Sequence, residues 1–420
     1  MKGISCFVNF KDNLNKNVPY YNLLMQKISG DDLKSLWIGE QAALSGNTVS
    51  KISEGYQFTI AFHGRLDSEK APKDELLSAG YHFLSEEDCE LALLCYIHFG
   101  EKCVEKLWGE YSFIVYDSMR RQIFAVSGKD TKTPLFFGET HTGYVLSTSI
   151  NGVLACPGVS ASLSCQNVLD LIAVKSHTSR CIFDKVFILM PGYSLKISAT
   201  GIWEKEFFQK NQEQSNAYEE NPFTESINFP VSFQHPPVDE GSIYYGLEAS
   251  VLACGYPVLS DFDHILPHAL RQAKGNNQVL YFPVLLKPLY INYISTLIKN
   301  GAFYSSLEKN FTDYSQSDGT FLNYPAIMAD YFETEIQPLY YKEETLPKFN
   351  LSETRTALRH ILLDIISKEH APILAFFRRS ALLRLCEGGF TFSHGQSECQ
   401  LTSYLIKLNM WFEKYRPRII

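Results

Sequence analysis

The chain has 420 residues, 45% of them hydrophobic and 20% charged, with 38 Lys and Arg against 46 Asp and Glu for a formal net charge of −8. That length exceeds one ordinary domain and suits two, each able to bury its own core. The acidic balance offers no basic footprint for tracking phosphates, which argues against nucleic acid as a partner, and no stretch approaches the roughly 18 uninterrupted apolar residues of a membrane span.

The opening residues, MKGISCFVNFKDNLNKN, turn polar and charged before an apolar leader forms, so no export signal is expected. Ten cysteines are scattered without CxxC pairs, which fits reduced thiols in a cytoplasmic protein better than a disulfide framework. From about residue 3 to 208 the pattern is one of short strands with helical passages between them. FTIAFHGRL at 58–66 is strand-like, rich in β-branched and aromatic residues. EEDCELALLCYIHFG at 86–100 spaces Leu91, Leu94, Cys95 and His98 as a helix does, opens with acidic residues and stops at Gly100. Strands follow at 111–117, 122–128, 134–139 and 143–149. Clustered strands with inserted helices predict an α+β domain over 1–208.

Residues 209–226, QKNQEQSNAYEENPFTES, are polar without apolar period and are read as a linker. Over 227–420 the chain turns mainly helical. Amphipathic spacing predicts helices at 244–255, 287–301, 352–369, 373–389 and 401–415, with Ser352 as an N-cap and Trp411 as a core anchor. No internal repeat of fixed period is present.

An ordered series of landmarks in residues 1–208 resembles the class II glutamine amidotransferase domain of the asparagine synthetase family. Met1-Lys2-Gly3-Ile4 is similar to the family's Met-Cys-Gly-Ile start. Residues 61–117 follow its Asn-Gly-Glu segment, acidic turn, helix and strand, with Gly109, Phe113 and Asp117 in register. Pro134-Leu135-Phe136-Phe137, Met190-Pro191-Gly192 and Trp203 resemble its later strand, Pro-Gly turn and closing strand. The resemblance implies an Ntn-hydrolase-like αββα sandwich for this half, followed by a synthetase-like C-terminal domain derived from an α/β fold.

Fold and chemistry separate at this point. The family's nucleophile is an N-terminal cysteine whose thiolate attacks the glutamine amide, with its own freed α-amine as base. Lys2 stands at that position, and a lysine in second place also disfavours trimming of Met1. Cys6, the nearest thiol, is displaced along the first strand by the Gly3-Ile4 register and is read as a buried strand cysteine. By the same resemblance the arginine that holds the substrate carboxylate falls at Ala42 and the oxyanion-hole asparagine at His63. The following glycine survives as Gly64, the next glutamate is Arg65, and Asp88 fits the aspartate that grips the substrate amine. One anchor and one backbone donor do not make a preorganised oxyanion site. The expectation is a pocket without catalytic residues, in which Lys2, His63, Gly64, Arg65 and Asp88 either line a remodelled binding site or face solvent as remnants.

The synthetase half shows the same erosion. The family's Ser-Gly-Gly-x-Asp-Ser loop, whose amides cradle pyrophosphate, has no counterpart. Ser127-Gly128-Lys129-Asp130-Thr131 lacks the second glycine and lies in the first domain, and the Ser-Gly-x-Gly-Ala-Asp-Glu turn is missing as well. No cofactor and no metal are expected. His264 and His268, spaced i, i+4 near Asp261 and Asp263, read as surface residues, and Glu369 and His370 cannot face one another on a helix. Arg378, Arg379 and Arg384 read as the solvated side of one helix, the alternative being a clamp for an acidic partner or a phosphate.

The resulting expectation is a catalytically deficient asparagine synthetase homologue, a pseudoenzyme. It would bind a protein, peptide or small molecule in a biosynthetic pathway, with a homodimer as one form. The alternative is a divergent amide-forming or peptide-modifying enzyme.

Overall fold

The computed structural model describes residues 3–30, 35–67, 70–131, 133–172, 181–206, 239–254, 270–271, 280–285, 297, 299–304, 336–341, 351–390, 392 and 398–420. The chain divides into two compact units, one over Lys2–Ser160 and Ser179–Glu225, the other over Ala161–Thr178 and Ser226–Ile420.

Two six-stranded antiparallel sheets build the first unit. One comprises β1 (Ser5–Asn9), β2 (Leu36–Ile38), β3 (Ala42–Ser45), β8 (Leu135–Glu139), β9 (Gly143–Ser147) and β11 (Val186–Leu189), in the order β11-β8-β9-β1-β3-β2. The other comprises β4 (Asn47–Ser53), β5 (Tyr56–Leu66), β6 (Gly109–Asp117), β7 (Gln122–Ser127), β12 (Tyr193–Ser198) and β13 (Gly201–Glu206), in the order β13-β12-β7-β6-β5-β4. Successive strand residues point to opposite faces, and this sorts the apolar residues into layers. Cys6, Val8, Leu44 and Leu146 of the first sheet share one core with Ala61, Ile114, Ala125 and Leu195 of the second. The alternate residues Phe62, Phe113 and Val126 face outward onto Leu93, Leu94 and Tyr96 of helix α3 (Asp88–Phe99).

The outer face of the first sheet is covered by α1 (Val18–Ser29), which buries Tyr21, Leu24, Met25 and Ile28, and by α4 (Ile150–Ala155). A Cβ on Gly152 would lie 2.4 Å from the Ile28 carbonyl, so glycine permits these two helices to touch. The short helix α2 (Lys73–Ser78) joins α3 on the opposite side. The layers run helix, sheet, sheet, helix, as an αββα sandwich requires. All five strands and the helix expected at 58–149 are present. Helix α1, for which no helix was predicted, starts where the Asn17 side chain accepts from the Tyr20 N–H at 3.4 Å and Pro19 enters the first turn.

Within the second unit, α6 (Glu240–Cys254), α7 (Leu351–Ser367), α8 (Arg379–Cys386) and α9 (Glu398–Tyr415) pack together. From Cys399 to Phe412 every residue of α9 is buried, and Trp411 is fully enclosed. Strands β14 (Leu280–Leu285) and β15 (Ile336–Tyr341) pair in parallel, the arrangement of crossover-connected α/β segments. The single helix expected over 373–389 is instead broken. Pro372–Ala375 forms a 3-10 turn, Phe377 makes an antiparallel bridge to Phe303, and the Arg378 N–H donates to the Ala302 carbonyl at 2.8 Å. That bridge holds Arg378 extended at ψ 124°, and the helix restarts only at Arg379. Most of the helix expected at 287–301 lies outside the described residues, as do His264, His268, Asp261 and Asp263.

The same unit takes in a segment from the middle of the sequence. Strand β10 (Ser162–Leu163) pairs in parallel with β16 (Arg418–Ile419), and the Ile420 N–H donates to the Leu163 carbonyl at 2.9 Å. Helix α5 (Cys165–Ile172) then buries Val168, Leu171 and Ile172, and the Tyr404 hydroxyl donates to the Leu171 carbonyl. Among the described residues no helix is long and apolar enough to cross a membrane.

Candidate functional site

The N-terminal end of β1 is held by side chains from β9 and its neighbours. The Ile4 N–H donates to Thr148 Oγ1 at 3.1 Å, and a Cβ on Gly3 would come within 2.1 Å of the same hydroxyl oxygen. Gly46 also packs closely, since a Cβ there would lie 2.8 Å from the Gly3 carbonyl oxygen. Gly46 leads straight into Asn47, whose strand partner is Phe62, the residue before His63. The start of the chain's first strand and the end of β5 are thereby joined through four residues. Lys2 itself lies outside the described residues.

On β5, His63, Gly64 and Arg65 pair with Ser112, Tyr111 and Glu110 of β6. Gly64 sits at φ +107°, and a Cβ there would fall 2.0 Å from the Glu110 carbonyl oxygen, so only glycine lets the two backbones approach. Asp88 closes the corner from the first turn of α3. Its Oδ2 accepts from the Leu66 N–H at 2.9 Å, a charge-assisted bond at a helix N-terminus, where a carboxylate is also favoured by the dipole. The structure thus brings His63, Gly64, Arg65 and Asp88 to one place.

Ala42, at the position the resemblance assigns to the substrate-carboxylate arginine, is fully buried in β3 opposite Val8. Cys6, also fully buried, is paired between Leu44 and Leu146, and burial pushes its thiol well above the ordinary range. Cys89 lies beside the candidate corner, but burial first, then the carboxylates of Glu87 and Glu90, raise it to about 12, and its Sγ donates to the Asn47 carbonyl at 3.4 Å. Neither thiol forms a thiolate at neutral pH.

A polar row escaped the reading of the sequence. His63, Ser112, Ser127 and Tyr193 are cross-strand neighbours on β5, β6, β7 and β12, on the face turned toward the first sheet. Ser112 Oγ lies 3.3 Å from Thr131 Oγ1 and donates to the Thr133 carbonyl at 3.2 Å. Ser127 Oγ is buried without a hydrogen-bond partner. The signal was available, since Ser112 and Ser127 interrupt the apolar alternation of YSFIVYD and QIFAVSG at corresponding inward positions.

Behind the corner, Glu90 holds the loop that leads into α3. It is buried, and its carboxylate oxygens accept from the Leu84 N–H at 2.8 Å, the Ser85 N–H at 2.6 Å and Ser85 Oγ at 2.8 Å, with Lys51 Nζ at 2.5 Å. Burial alone would raise this carboxyl. The ammonium and the converging donors outweigh it and bring it down to about 2.

The remaining candidates divide. Glu369 and His370 lie exposed in the turn after α7, and among the described residues no three His, Cys, Asp or Glu side chains are grouped to hold a metal. Arg379 and Arg384 are exposed on α8, as expected of a solvated helix side, and both also donate to backbone carbonyls, while Arg378 is half-buried just ahead of the helix. Arg384 Nη2 donates to the Asn300 carbonyl at 2.5 Å and Arg379 Nη2 to the Lys368 carbonyl at 3.3 Å, stapling α8 to neighbouring turns.

A glutamine amidotransferase domain family matches residues 1–208. Asparagine synthetase [glutamine-hydrolyzing] 3 of Bacillus subtilis is 26% identical over 219 residues, covering 48% of this chain and 36% of the relative. Amidase chyE of Penicillium rubens is 24% identical over 153 residues, covering 36% of this chain and 22% of the relative. The chain therefore spans about a third or less of the length of these curated relatives. Among solved structures, the glutamine phosphoribosylpyrophosphate amidotransferase of B. subtilis is similar at TM-score 0.35 and 11% identity, over 83% of this chain and 69% of that one. A glutamine aminotransferase class-II domain protein from Silicibacter pomeroyi is similar at TM-score 0.30 and 11% identity, over 49% and 98%. Residues 1–208 thus form a glutamine amidotransferase domain, and over about half of its length the chain is similar to a Bacillus asparagine synthetase.

Proposed function

We propose that the amidotransferase fold of this chain binds a ligand or partner without hydrolysing glutamine, so that the protein acts as a pseudoenzyme in a biosynthetic pathway. The observation that carries this reading is the identity of one residue. Lysine precedes Gly3-Ile4, where attack on an amide needs a thiolate, and the neighbouring thiols of Cys6 and Cys89 are buried and protonated. Two further changes support it. Ala42, buried in β3, offers no cation for a substrate carboxylate, and His63 puts an imidazole where the resemblance expects an amide donor. What survives is Asp88 and the tight turn of backbone at Gly64, enough to shape a pocket and too little to stabilise an oxyanion.

The test is ammonia release from glutamine by purified protein, alongside calorimetric titration with glutamine and with ATP. This reading expects no turnover; sustained glutamine hydrolysis, or ATP-dependent amide formation, overturns it.

The buried row of Ser112 and Ser127 beside His63 favours a second reading, a divergent amide-forming or peptide-modifying enzyme working from the same corner. Alanine at Lys2 and Asp88 separates the two, because an identified activity that survives both substitutions does not reside there.

A further inference from the structure

Two exposed apolar patches of opposite charge lie on opposite outer layers of the αββα unit. The first is a stripe on α1. Tyr20, Leu23 and Lys27 follow one another at helical spacing, continued by Lys16 in the turn before the helix, and all four are exposed. Leu23 is 62% exposed, Tyr20 and Val18 accompany it, and α1 itself carries no carboxylate. The second patch lies at the loop between α2 and α3. Leu84 is 85% exposed, Leu77 at the end of α2 is half exposed, and Glu86 and Glu87 are exposed beside them.

The outward position of Leu84 is imposed by buried chemistry. Both carboxylate oxygens of Glu90 accept from its backbone N–H, at 2.8 and 3.0 Å, and Lys51 neutralises that carboxylate from within. Single exposed leucines are ordinary; here the backbone that carries the exposed side chain is also held in place by the Glu90–Lys51 pair. The rigid tip is an apolar knob with an acidic rim. The α1 stripe is an apolar strip with basic ends.

We propose that these surfaces bind each other in two copies of the chain, the Leu84 knob of one copy seating against the Tyr20–Leu23 stripe of the next, with Glu86 and Glu87 facing Lys16 and Lys27. Helix α1 covers one sheet and the α2–α3 loop the other, so one chain cannot bring its own patches together. The contact is heterologous: each copy keeps one patch free, and association continues into open chains or closes into a ring. Complementary charge sets the register and makes the association sensitive to salt.

Sedimentation velocity on the full chain tests this with two variants, Leu23→Asp and Leu84→Asp, both at exposed positions where folding is little perturbed and far-UV circular dichroism checks it. The wild type is expected to grow in average mass with concentration and to shrink in 0.5 M salt. Each variant alone is expected to remain a monomer. Mixed together they are expected to form a dimer of one copy of each, since each variant retains the patch the other has lost. A wild type that stays monomeric at every concentration overturns the proposal, as do variants that still self-associate or a mixture that fails to pair.

Discussion

Asp88 Oδ2 accepts the Leu66 N–H at 2.9 Å and so ties the first turn of α3 to the last residue of β5. Twenty-two residues apart in sequence, the two define the corner at the end of β5, next to His63, Gly64 and Arg65. Replacing Asp88 by Ala strands a half-buried backbone donor and removes a carboxylate from a helix N-terminus. The expected loss is about 1–2 kcal/mol of stability, read as a lower urea midpoint with unchanged slope. Asn at the same position, which keeps an acceptor, should recover part of it.

Gly64→Ala should cost more than a cap. Its φ of +107° disfavours any side chain, and the added methyl would sit 2.0 Å from the Glu110 carbonyl. Backbone must move, so a loss of about 2–4 kcal/mol is expected, measured as a fall in Tm.

The Glu90 carboxyl makes a pH prediction. Its folded value of about 2 lies below its unaffected value of 4.5, so the group stabilises the fold above pH 4.5, and that contribution disappears as pH falls from 4.5 to 2. The linked free energy is about 3 kcal/mol at neutral pH. Wild type and Glu90→Gln should therefore differ most in urea stability near pH 7 and converge towards pH 2. Equal pH dependence of the two would remove Glu90 as the cause.

Restoring the thiol should not restore the chemistry. Lys2→Cys introduces a small second residue and allows Met1 to be trimmed, which intact-mass measurement detects. Glutamine hydrolysis is nonetheless expected to stay below detection. Ala42 offers the substrate no cation and His63 does not reproduce the oxyanion donor, whose loss alone costs about 100- to 1,000-fold in comparable sites. Ammonia release above background by this single variant would show that the pocket is more intact than its residues suggest.

Thiol labelling gives an independent check on the core. Cys165 is exposed, while Cys6, Cys89, Cys95, Cys103, Cys156, Cys181, Cys386 and Cys399 are buried. Under native conditions Cys165 should react with a thiol reagent ahead of these eight, which follow only on unfolding. Mass mapping of the labelled site separates it from the others.

The strands of the first unit were legible because their alternation is local. FTIAFHGRL and YSFIVYD announce a buried and a half-buried face without knowledge of their neighbours. Strand order was not legible, since β1 lies between β9 and β3, a pairing set by packing across more than a hundred residues. The corner was legible as a set of positions through the resemblance, which is also what assigns Ala42 and His63 to the altered positions. Its supports were not legible. Lys51 and Glu90 meet from different elements, and Ser112 and Ser127 become one row only when β6 and β7 pair in register. The helix expected over 373–389 failed for a related reason: the break at Phe377 is imposed by a bridge from Phe303, and nothing in the local spacing records it.

The pairing of β10 with β16, and of Leu171 with Tyr404 across 233 residues of sequence, imposes an order on synthesis. The ribosome releases Ser162–Ile172 long before it makes Arg418–Ile419, so the apolar side of α5 emerges with no partner and must wait for the last helix. The sandwich can close early; the helical unit cannot pair β10 with its partner strand until Arg418–Ile419 have been made. Slowing release of the nascent chain should lengthen that exposed interval and raise the demand for chaperones.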